Sequence, residues 1–149
     1  MPVFLDDQQE LEVDGDELVD LADYVLRERD VSADMEVSLL LVDESTMADL
    51  NHVHMATEGP TDVLAFPIDE PGAPATEEPA ILGDVVLCPA VAARQAADRG
   101  HGTADELRLL TTHGLLHLLG MDHADGPSER EMFGLTDDLL AGFADRAGR

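Results

Sequence analysis

The sequence predicts an α/β fold in which one small mixed β-sheet of about four strands is packed with about five helices. Segments of strand composition alternate with amphipathic segments of helical period, in the order β-α-β-α-β-β-α-α-α and without an internal repeat. The chain has 149 residues, of which 44% are hydrophobic and 28% charged, close to the average of globular proteins. We therefore expect residues 1–149 to form a single domain.

The N-terminal part is predicted to begin with strand, helix, strand and helix. VFLD has the composition of a short strand, and residues 15–29 place apolar side chains at helical spacing. Residues 35–43, MEVSLLLVD, combine alternation with an apolar run, which is typical of a second strand. Ser45 and Thr46 are expected to cap a helix that continues to about His54.

The middle of the chain is predicted to hold two strands separated by a loop. TDVLAFP has strand composition and is closed by Pro67, and ILGDVVLC predicts the next strand. Between them, residues 69–79 are acidic and rich in proline, so we expect an exposed loop there. Pro89 suits the first turn of a helix that ends at Gly100. Cys88 cannot form an internal disulfide, because it is the one cysteine of the chain, and we expect it to be buried.

Two further helices are predicted in the C-terminal part. Thr103 and Glu106 match a capping box at a helix start, and the helix should run to about Leu119, where Gly120 can end it in a left-handed conformation. The last helix should start near Ser128. Its apolar side chains recur at intervals of three or four along one face: Met132, Leu135, Leu139 and Phe143.

The charge is strongly negative, at −25, because 33 acidic residues face eight arginines and no lysine. Such a field disfavours general attraction to phosphate backbones and anionic membranes. No apolar stretch is long enough for a membrane helix, and the N-terminus is acidic. We expect a soluble cytoplasmic protein that binds neither membranes nor DNA. If the substrate is a nucleic acid, the affinity for it must come from local features.

The segment HGLLHLLGMDH contains the strongest functional pattern. His113 and His117 lie four residues apart on a predicted helix, so their imidazoles face the same side. Gly120 then ends the helix, and His123 can supply a third imidazole from another direction. Three protein ligands with a fourth position left open are typical of catalytic zinc sites. We predict one zinc ion per chain, bound by His113, His117 and His123.

A purely structural role is the alternative for each histidine. A single histidine on an apolar helix is more often packed than metal-bound, but burying three together without a metal is costly. His52 and His54 face different sides of a helix, and His101 lies in a glycine loop, so we expect these three at the surface or in indirect support of the site. Asp122 and Asp125 could orient an imidazole, although an Asp after a helix is more often a turn residue.

The histidine spacing also occurs in metzincin proteases, in which the residue after the first histidine is a Glu that acts as general base. In this chain that position is Gly114. A peptidase would lack its base, so zinc-dependent hydrolysis of a peptide or amide bond is only the second hypothesis. No residue of the sequence can be assigned as the catalytic base.

HGLLHLLGMDH resembles, at every fixed position, the signature H-G-x-L-H-L-x-G-x-D-H of the YbeY family of metal-dependent endoribonucleases and ribosomal-RNA maturation factors. LN at 50–51, PTDVLAFP at 60–67 and LGDVVL at 82–87 occur in the family's order. The resemblance implies a small mixed sheet surrounded by helices and a zinc ion on the three motif histidines. It also implies that PTDVLAF lines the substrate cleft, although the same residues suit a buried strand equally well.

This resemblance implies a single-strand-specific, zinc-dependent endoribonuclease that acts in small-subunit ribosomal RNA maturation and ribosome quality control. Its partners would be ribosomal RNA, the small ribosomal subunit and ribosome-associated proteins. Two alternatives stay open at this point: the zinc-dependent peptide or amide hydrolase, and a ribosome-assembly binding factor with a structural zinc.

One departure from the family concerns RNA. Between the LN and PTD segments the family often carries an aromatic-Arg pair whose Arg is implicated in handling RNA, and here the pair is His54-Met55. Because methionine cannot bind phosphate, either another arginine substitutes or this chain cleaves less readily. The candidates are Arg94, Arg99 and Arg108, and the alternative for each is a solvated surface residue.

Overall fold

The computed structural model describes residues 3–55, 63–70, 80–121 and 126–146, with the side chains of all of them except 53–55 and 126–129. The described elements follow the predicted order: β1 (Val3–Asp7), α1 (Gly15–Glu28), β2 (Glu36–Leu41), α2 (Glu44–Met55), β3 (Val63–Pro67), β4 (Ile81–Leu87), α3 (Pro89–Arg99), α4 (Thr103–Leu118) and α5 (Gly126–Arg146). The predicted α/β class with one mixed sheet is confirmed. None of the described helices is long and apolar enough to cross a membrane.

The strands form one four-stranded sheet in the order β1-β2-β4-β3. β1 and β2 pair in parallel, as do β2 and β4, whereas β3 runs antiparallel to β4 at the edge. Parallel neighbours require a crossover connection, which α1 supplies between β1 and β2. The antiparallel β3–β4 pair places Val63 opposite Leu87. Both β3 and β4 contact α4, which packs on one face of the sheet.

Alternation along the strands divides the apolar side chains between the two faces of the sheet. On the main face, Leu39 of β2 and Val85 of β4 belong to a core shared with α1, α4 and α5. On the other face, Val86 of β4 packs with Met47 of α2 and with Cys88, which is buried as predicted. The main core therefore lies beneath α4, the helix that contains His113 and His117.

The start of α2 differs from the prediction. The side chain of Asp43 accepts a hydrogen bond from the backbone N–H of Thr46 at 2.8 Å, so Asp43 is the cap and not Ser45 or Thr46. This hydrogen bond lowers the pKa of the Asp43 carboxyl. An Asp is favourable there because its negative charge also interacts with the positive end of the helix dipole.

The predicted capping box of α4 is displaced by one residue. The backbone N–H of Gly102 donates to Oδ2 of Asp105 at 3.1 Å, and Thr103 is already the first helical residue. Asp105 therefore takes the role predicted for Glu106, which is instead fully buried. At the C-terminus, α5 begins at Gly126, two residues before the predicted start near Ser128. Its predicted apolar face is confirmed: Met132, Leu139 and Phe143 are buried and Leu135 is partly buried.

The predicted acidic loop at 69–79 lies mostly outside the described residues. Its first residue is not simply exposed: the backbone N–H of Asp69 donates to the carbonyl of Ile81 at 2.8 Å. The Asp69 carboxylate accepts from the Ile81 N–H, also at 2.8 Å. Together with the hydrogen bond from the Ile68 N–H to the Leu82 carbonyl, this contact extends the β3–β4 pairing two residues beyond Pro67.

Candidate metal centre

His113 and His117 lie on one face of α4, four residues apart, as predicted. Both side chains are partly buried, and both line the same cavity of about 500 Å³. The other elements that line this cavity are the first residue of β3, the last residue of α3 and the middle of α5. A helix supported by the main core therefore presents two imidazoles to a cleft that solvent and a small ligand can enter.

The chain leaves α4 through a tight turn at Gly120, which has φ of +93°. The N–H of Gly120 donates to the carbonyl of His117 and the N–H of Met121 donates to the carbonyl of Leu116, both at 3.0 Å. This pair of hydrogen bonds is the Schellman arrangement, and it favours glycine because other residues are strained at positive φ. The predicted helix end at Gly120 is confirmed. His123, Asp122 and Asp125 lie outside the described residues.

The donor chemistry of the described residues fits a zinc ion in part. Two imidazoles that share a face and a cavity supply two of the nitrogen ligands that zinc prefers. Within the described ranges, no group of three His, Cys, Asp or Glu side chains could hold a metal ion. Two ligands on one rigid helix suit a site that is completed from another segment. The assignment of the third ligand to His123 stays a prediction.

The opposite wall of the cleft comes from α5. The ring of Phe133 lies 5.2 Å from the ring of His113, at an interplanar angle of 31°, and Phe133 is 40% exposed. One turn later, the exposed Asp137 lines the same cavity. Sequence reasoning missed both residues, because only the buried face of α5 was considered. Their spacing of four on the opposite face was the available signal.

β3 contributes to both the core and the cleft. Val63 lines the cavity, whereas its neighbour Leu64 is buried on the other face of the sheet. The buried-strand alternative for PTDVLAF is confirmed at Leu64, and the lining of a substrate cleft by this segment stays a prediction. Thr61 and Asp62 of this segment lie outside the described residues.

A buried carboxylate lies beside the cleft, on the same helix as the two histidines. Glu106 has no exposed surface, and its Oε1 is 2.6 Å from Nε2 of His101. Nη1 of Arg99 lies 3.2 Å from Oε2 and 3.4 Å from Oε1 of the same carboxylate. His101 therefore belongs to a polar network on the helix that carries the two histidines, and its indirect support of a metal site stays a prediction. His52 is exposed, as predicted, and the side chain of His54 is outside the description.

A second cavity of about 690 Å³ continues along the groove between α4 and α5 and shares Leu109 and Asp137 with the first. Arg108 lines it and donates to Oε1 of Glu17 at 2.6 Å, and it also pairs with Asp105. The Gly102 N–H, and secondly the charge of Arg108, hold the pKa of Asp105 below its usual range. Arg108 therefore forms ion pairs with two carboxylates, those of Glu17 and Asp105.

Gly114 allows α4 to approach the sheet closely. A Cβ atom at this position would lie 2.6 Å from Cγ1 of Val85 and 3.3 Å from Cγ2 of Val63. The residue after the first histidine thus faces the sheet, where no room exists for a longer side chain. The carboxylate that a metzincin-type mechanism needs could not be accommodated in this arrangement.

The family model described as Endoribonuclease YbeY matches residues 4–144 of the chain. The chain belongs to the YbeY family. The endoribonuclease YbeY of Salinispora tropica is 51% identical over 157 aligned positions, covering 100% of both chains. That of Thermobifida fusca is 57% identical over 133 positions, covering 87% of this chain and 86% of the relative. The solution structure of TM1509 from Thermotoga maritima is 26% identical, with a TM-score of 0.63, and the match covers 98% of this chain and 91% of that one.

YbeY membership confirms the family resemblance carried by the histidine motif, and with it the predicted enzyme class. The family is one of endoribonucleases, which are hydrolases of RNA. The match covers the described elements from β1 to α5, so it includes the whole cleft and not the histidine segment alone.

Proposed function

We propose that this chain is a zinc-dependent endoribonuclease that cleaves single-stranded RNA in small-subunit ribosomal RNA maturation and ribosome quality control. The observation that carries the proposal is that His113 and His117 line one open cavity in a member of the YbeY family. His113, His117 and His123 would hold the zinc ion. Bound zinc supplies Lewis-acid polarisation of a phosphoryl oxygen and lowers the pKa of a water molecule to about 7.

The described residues support this chemistry by their placement. The core beneath α4 keeps the two imidazoles on a rigid surface, which limits the rearrangement needed when a ligand enters. The cleft is bounded by α4 and α5 and is open to solvent on one side, so an extended strand could pass along the groove.

Phe133 supports the preference for single-stranded RNA. Its ring is 40% exposed and lies beside His113. An unstacked base can pack on an exposed aromatic face, whereas the bases of a duplex are already stacked on each other.

The charge of the chain supports a substrate presented by a larger particle. At a net charge of −25, the isolated protein has few cations to attract a polyanion. We therefore expect weak RNA binding by the isolated chain and stronger activity on small ribosomal subunits, where protein partners or RNA structure deliver the strand.

Substitution of His117 tests the proposal directly. His117→Ala should reduce bound zinc from one ion per chain to near zero and abolish cleavage of single-stranded RNA. The fold should persist, because His117 is only partly buried. His52→Ala is the matched control, since His52 is an exposed histidine on α2, and it should change neither zinc content nor cleavage.

Circular dichroism and binding to small ribosomal subunits would accompany the cleavage and metal measurements. Loss of cleavage with retained fold and retained subunit binding supports an enzyme. Undiminished cleavage by a metal-free His117→Ala protein would contradict the zinc mechanism. A wild-type protein that binds zinc and subunits but cuts no RNA would instead support the binding-factor alternative, and chelator-sensitive peptide cleavage would support the hydrolase.

A further inference from the structure

Positive charge is scarce in this chain, and three of the described arginines are paired with carboxylates away from the cleft. Arg27 pairs with Asp23 on α1, and Arg94 pairs with Glu44 of α2. Arg108 is held between two carboxylates in the neighbouring cavity. Among the arginines whose side chains the structure describes, Arg99 is the one that lines the cavity with His113 and His117.

Arg99 is held by a carboxylate that solvent cannot reach. Glu106 is 0% exposed, while the Arg99 side chain is 52% exposed. The pair therefore has its negative end inside the protein and its positive end at the cleft. Glu106 precedes His113 by two helical turns on the same face of α4, about 10.5 Å along the helix axis. The guanidinium of Arg99 therefore lies in the same cleft as the two histidines, displaced from them along the axis of α4.

The geometry of the pair leaves donors available on Arg99. Within the described part of the chain, only Nη1 of the guanidinium contacts Glu106, and Nε and Nη2 have no partner there. A guanidinium carries five N–H donors in a planar fork that suits two oxygens of one phosphate. His101 adds a second contact to Oε1 of Glu106, which keeps the carboxylate in place.

We propose that Arg99 contacts a phosphate of the RNA strand next to the scissile phosphate, and that Glu106, supported by His101, is the positioning residue that aims it. This inference rests on the proposed function, because it takes single-stranded RNA to be the ligand of the cleft. Among the described residues that line the same cavity, Asp137 is the acidic one. Arg99 would offset its repulsion of the strand.

The first test compares Arg99→Gln with Arg94→Gln. Both arginines lie on α3, both are more than half exposed and both pair with a glutamate, so they form a matched pair that differs in access to the cleft. Affinity of the zinc-loaded protein for a 2′-O-methyl single-stranded oligonucleotide is measured as a function of salt. Arg99→Gln should weaken binding about tenfold and lower the slope of log affinity against log salt by about 0.7, the value for one contact on a single strand. Arg94→Gln should leave both unchanged.

The second test concerns Glu106. Glu106→Gln should also weaken binding, and the double variant with Arg99→Gln should be no weaker than Arg99→Gln alone, because Glu106 acts through Arg99. Zinc content and the far-ultraviolet spectrum report whether each variant is folded and loaded. With a cleavable RNA, Arg99→Gln should raise KM about tenfold and change kcat less, as expected for a contact away from the reacting bond.

An unchanged salt slope in folded, zinc-loaded Arg99→Gln would overturn the inference, as would an equal loss in Arg94→Gln. Additive effects of the two cleft substitutions would overturn the role of Glu106. Wild-type protein that binds no oligonucleotide would overturn the phosphate contact. If the slope falls as expected while the wild type cleaves no RNA, the proposed nuclease function is wrong and the phosphate contact stands. If the wild type cleaves RNA and the slope does not fall, the contact alone is wrong.

Discussion

The two faces of α4 differ in what they require of the sequence. The face towards the sheet is apolar and so close to β4 that Gly114 has no room for a Cβ atom. The opposite face carries the fully buried Glu106 beside the cleft, and His113 and His117, which are partly buried and line the cleft. One face is governed by shape and the other by the chemistry of polar groups.

This difference shows how one helix can hold a site in place. Because the sheet-facing side is closely packed, even a small increase in side-chain volume there causes steric strain. On the cleft side each buried polar atom needs a partner, so the important changes there are losses of hydrogen bonds and ion pairs. Substitutions on the sheet-facing side should therefore destabilise the protein through steric strain, and those on the cleft side through lost hydrogen bonds and ion pairs.

The largest effect is expected for Gly114→Ala. The new methyl group would lie 2.6 Å from Val85, and we expect a loss of about 2–3 kcal/mol in the free energy of unfolding, despite the better helix propensity of Ala. Gly134→Ala on α5 is the matched control, because nothing lies within 4 Å of its Cβ position. It should stabilise the protein by about 0.5–1 kcal/mol. Urea unfolding measures both.

Val85→Ala provides a further check on this explanation. In a Val85→Ala background the two closest methyl groups are gone and the Cγ2 atom of Val63 at 3.3 Å remains, so Gly114→Ala should cost clearly less than in the wild type. Equal costs in the two backgrounds would show that close packing against β4 is not the reason for glycine.

On the cleft side, we expect substitution of His101 and substitution of Glu106, which contact each other, to change the free energy of unfolding by different amounts. His101→Ala leaves a fully buried carboxylate with one contact fewer, and it should cost about 1–2 kcal/mol. Glu106→Met removes the buried charge and leaves partners that solvent can reach, so it should change stability by less than about 1 kcal/mol. Thermal unfolding of both variants tests this order, and the reverse order would mean that the network stabilises the fold chiefly through charge attraction.

The start of α4 should show a smaller effect that depends on pH. Asp105→Ala removes the cap on the Gly102 N–H and should cost about 1 kcal/mol at pH 7. Because the pKa of Asp105 is lowered in the folded state, its contribution is present above the ordinary Asp pKa of about 3.9 and is lost as the pH falls through the lowered value. The gap in unfolding free energy between variant and wild type should close in strong acid. Asp138→Ala, at an exposed site on α5, should show no such gap at any pH.

The smallest effect is expected from deleting residues 71–79 and joining the ends with a short turn. The hydrogen bonds between Asp69 and Ile81 already hold the two ends of this segment together. The deleted residues contain no histidine or cysteine and few apolar side chains, so zinc content should be unchanged. Loss of zinc from a folded deletion variant would show that this segment contributes to the cleft.

Much of the fold follows from patterns that the sequence displays directly. Alternation predicted β2, helical spacing predicted α1 and the apolar face of α5, and glycine predicted the end of α4 at Gly120. The caps were harder, because Asp43, Ser45 and Thr46 are all suitable residues within four positions. The choice among them depends on where the preceding strand ends. For the same reason, the capping box of α4 was predicted at Glu106, whereas the residue that caps the helix is Asp105.

For the candidate site, sequence reasoning found residues that are neighbours along one helix and missed those that come from elsewhere. His113 and His117 share a face because of their spacing. Phe133 and Asp137 reach the cleft only because α5 packs against α4. The burial of Glu106 depends on the loop that returns His101 to the start of α4. Arg99 was one of three candidate arginines, and only the packing of α3 beside α4 distinguished it.

The order in which the cleft is assembled has a consequence for the cell that makes this protein. The described lining runs from Val63 to Asp137, so it comes from β3, α3, α4 and α5. The β3–β4 pair is local and can form early, whereas the wall that carries Phe133 is translated after the other described parts of the lining. A growing chain therefore displays no complete cleft. The ribosome that synthesises it is exposed to the finished cleft only after α5 has left the exit tunnel.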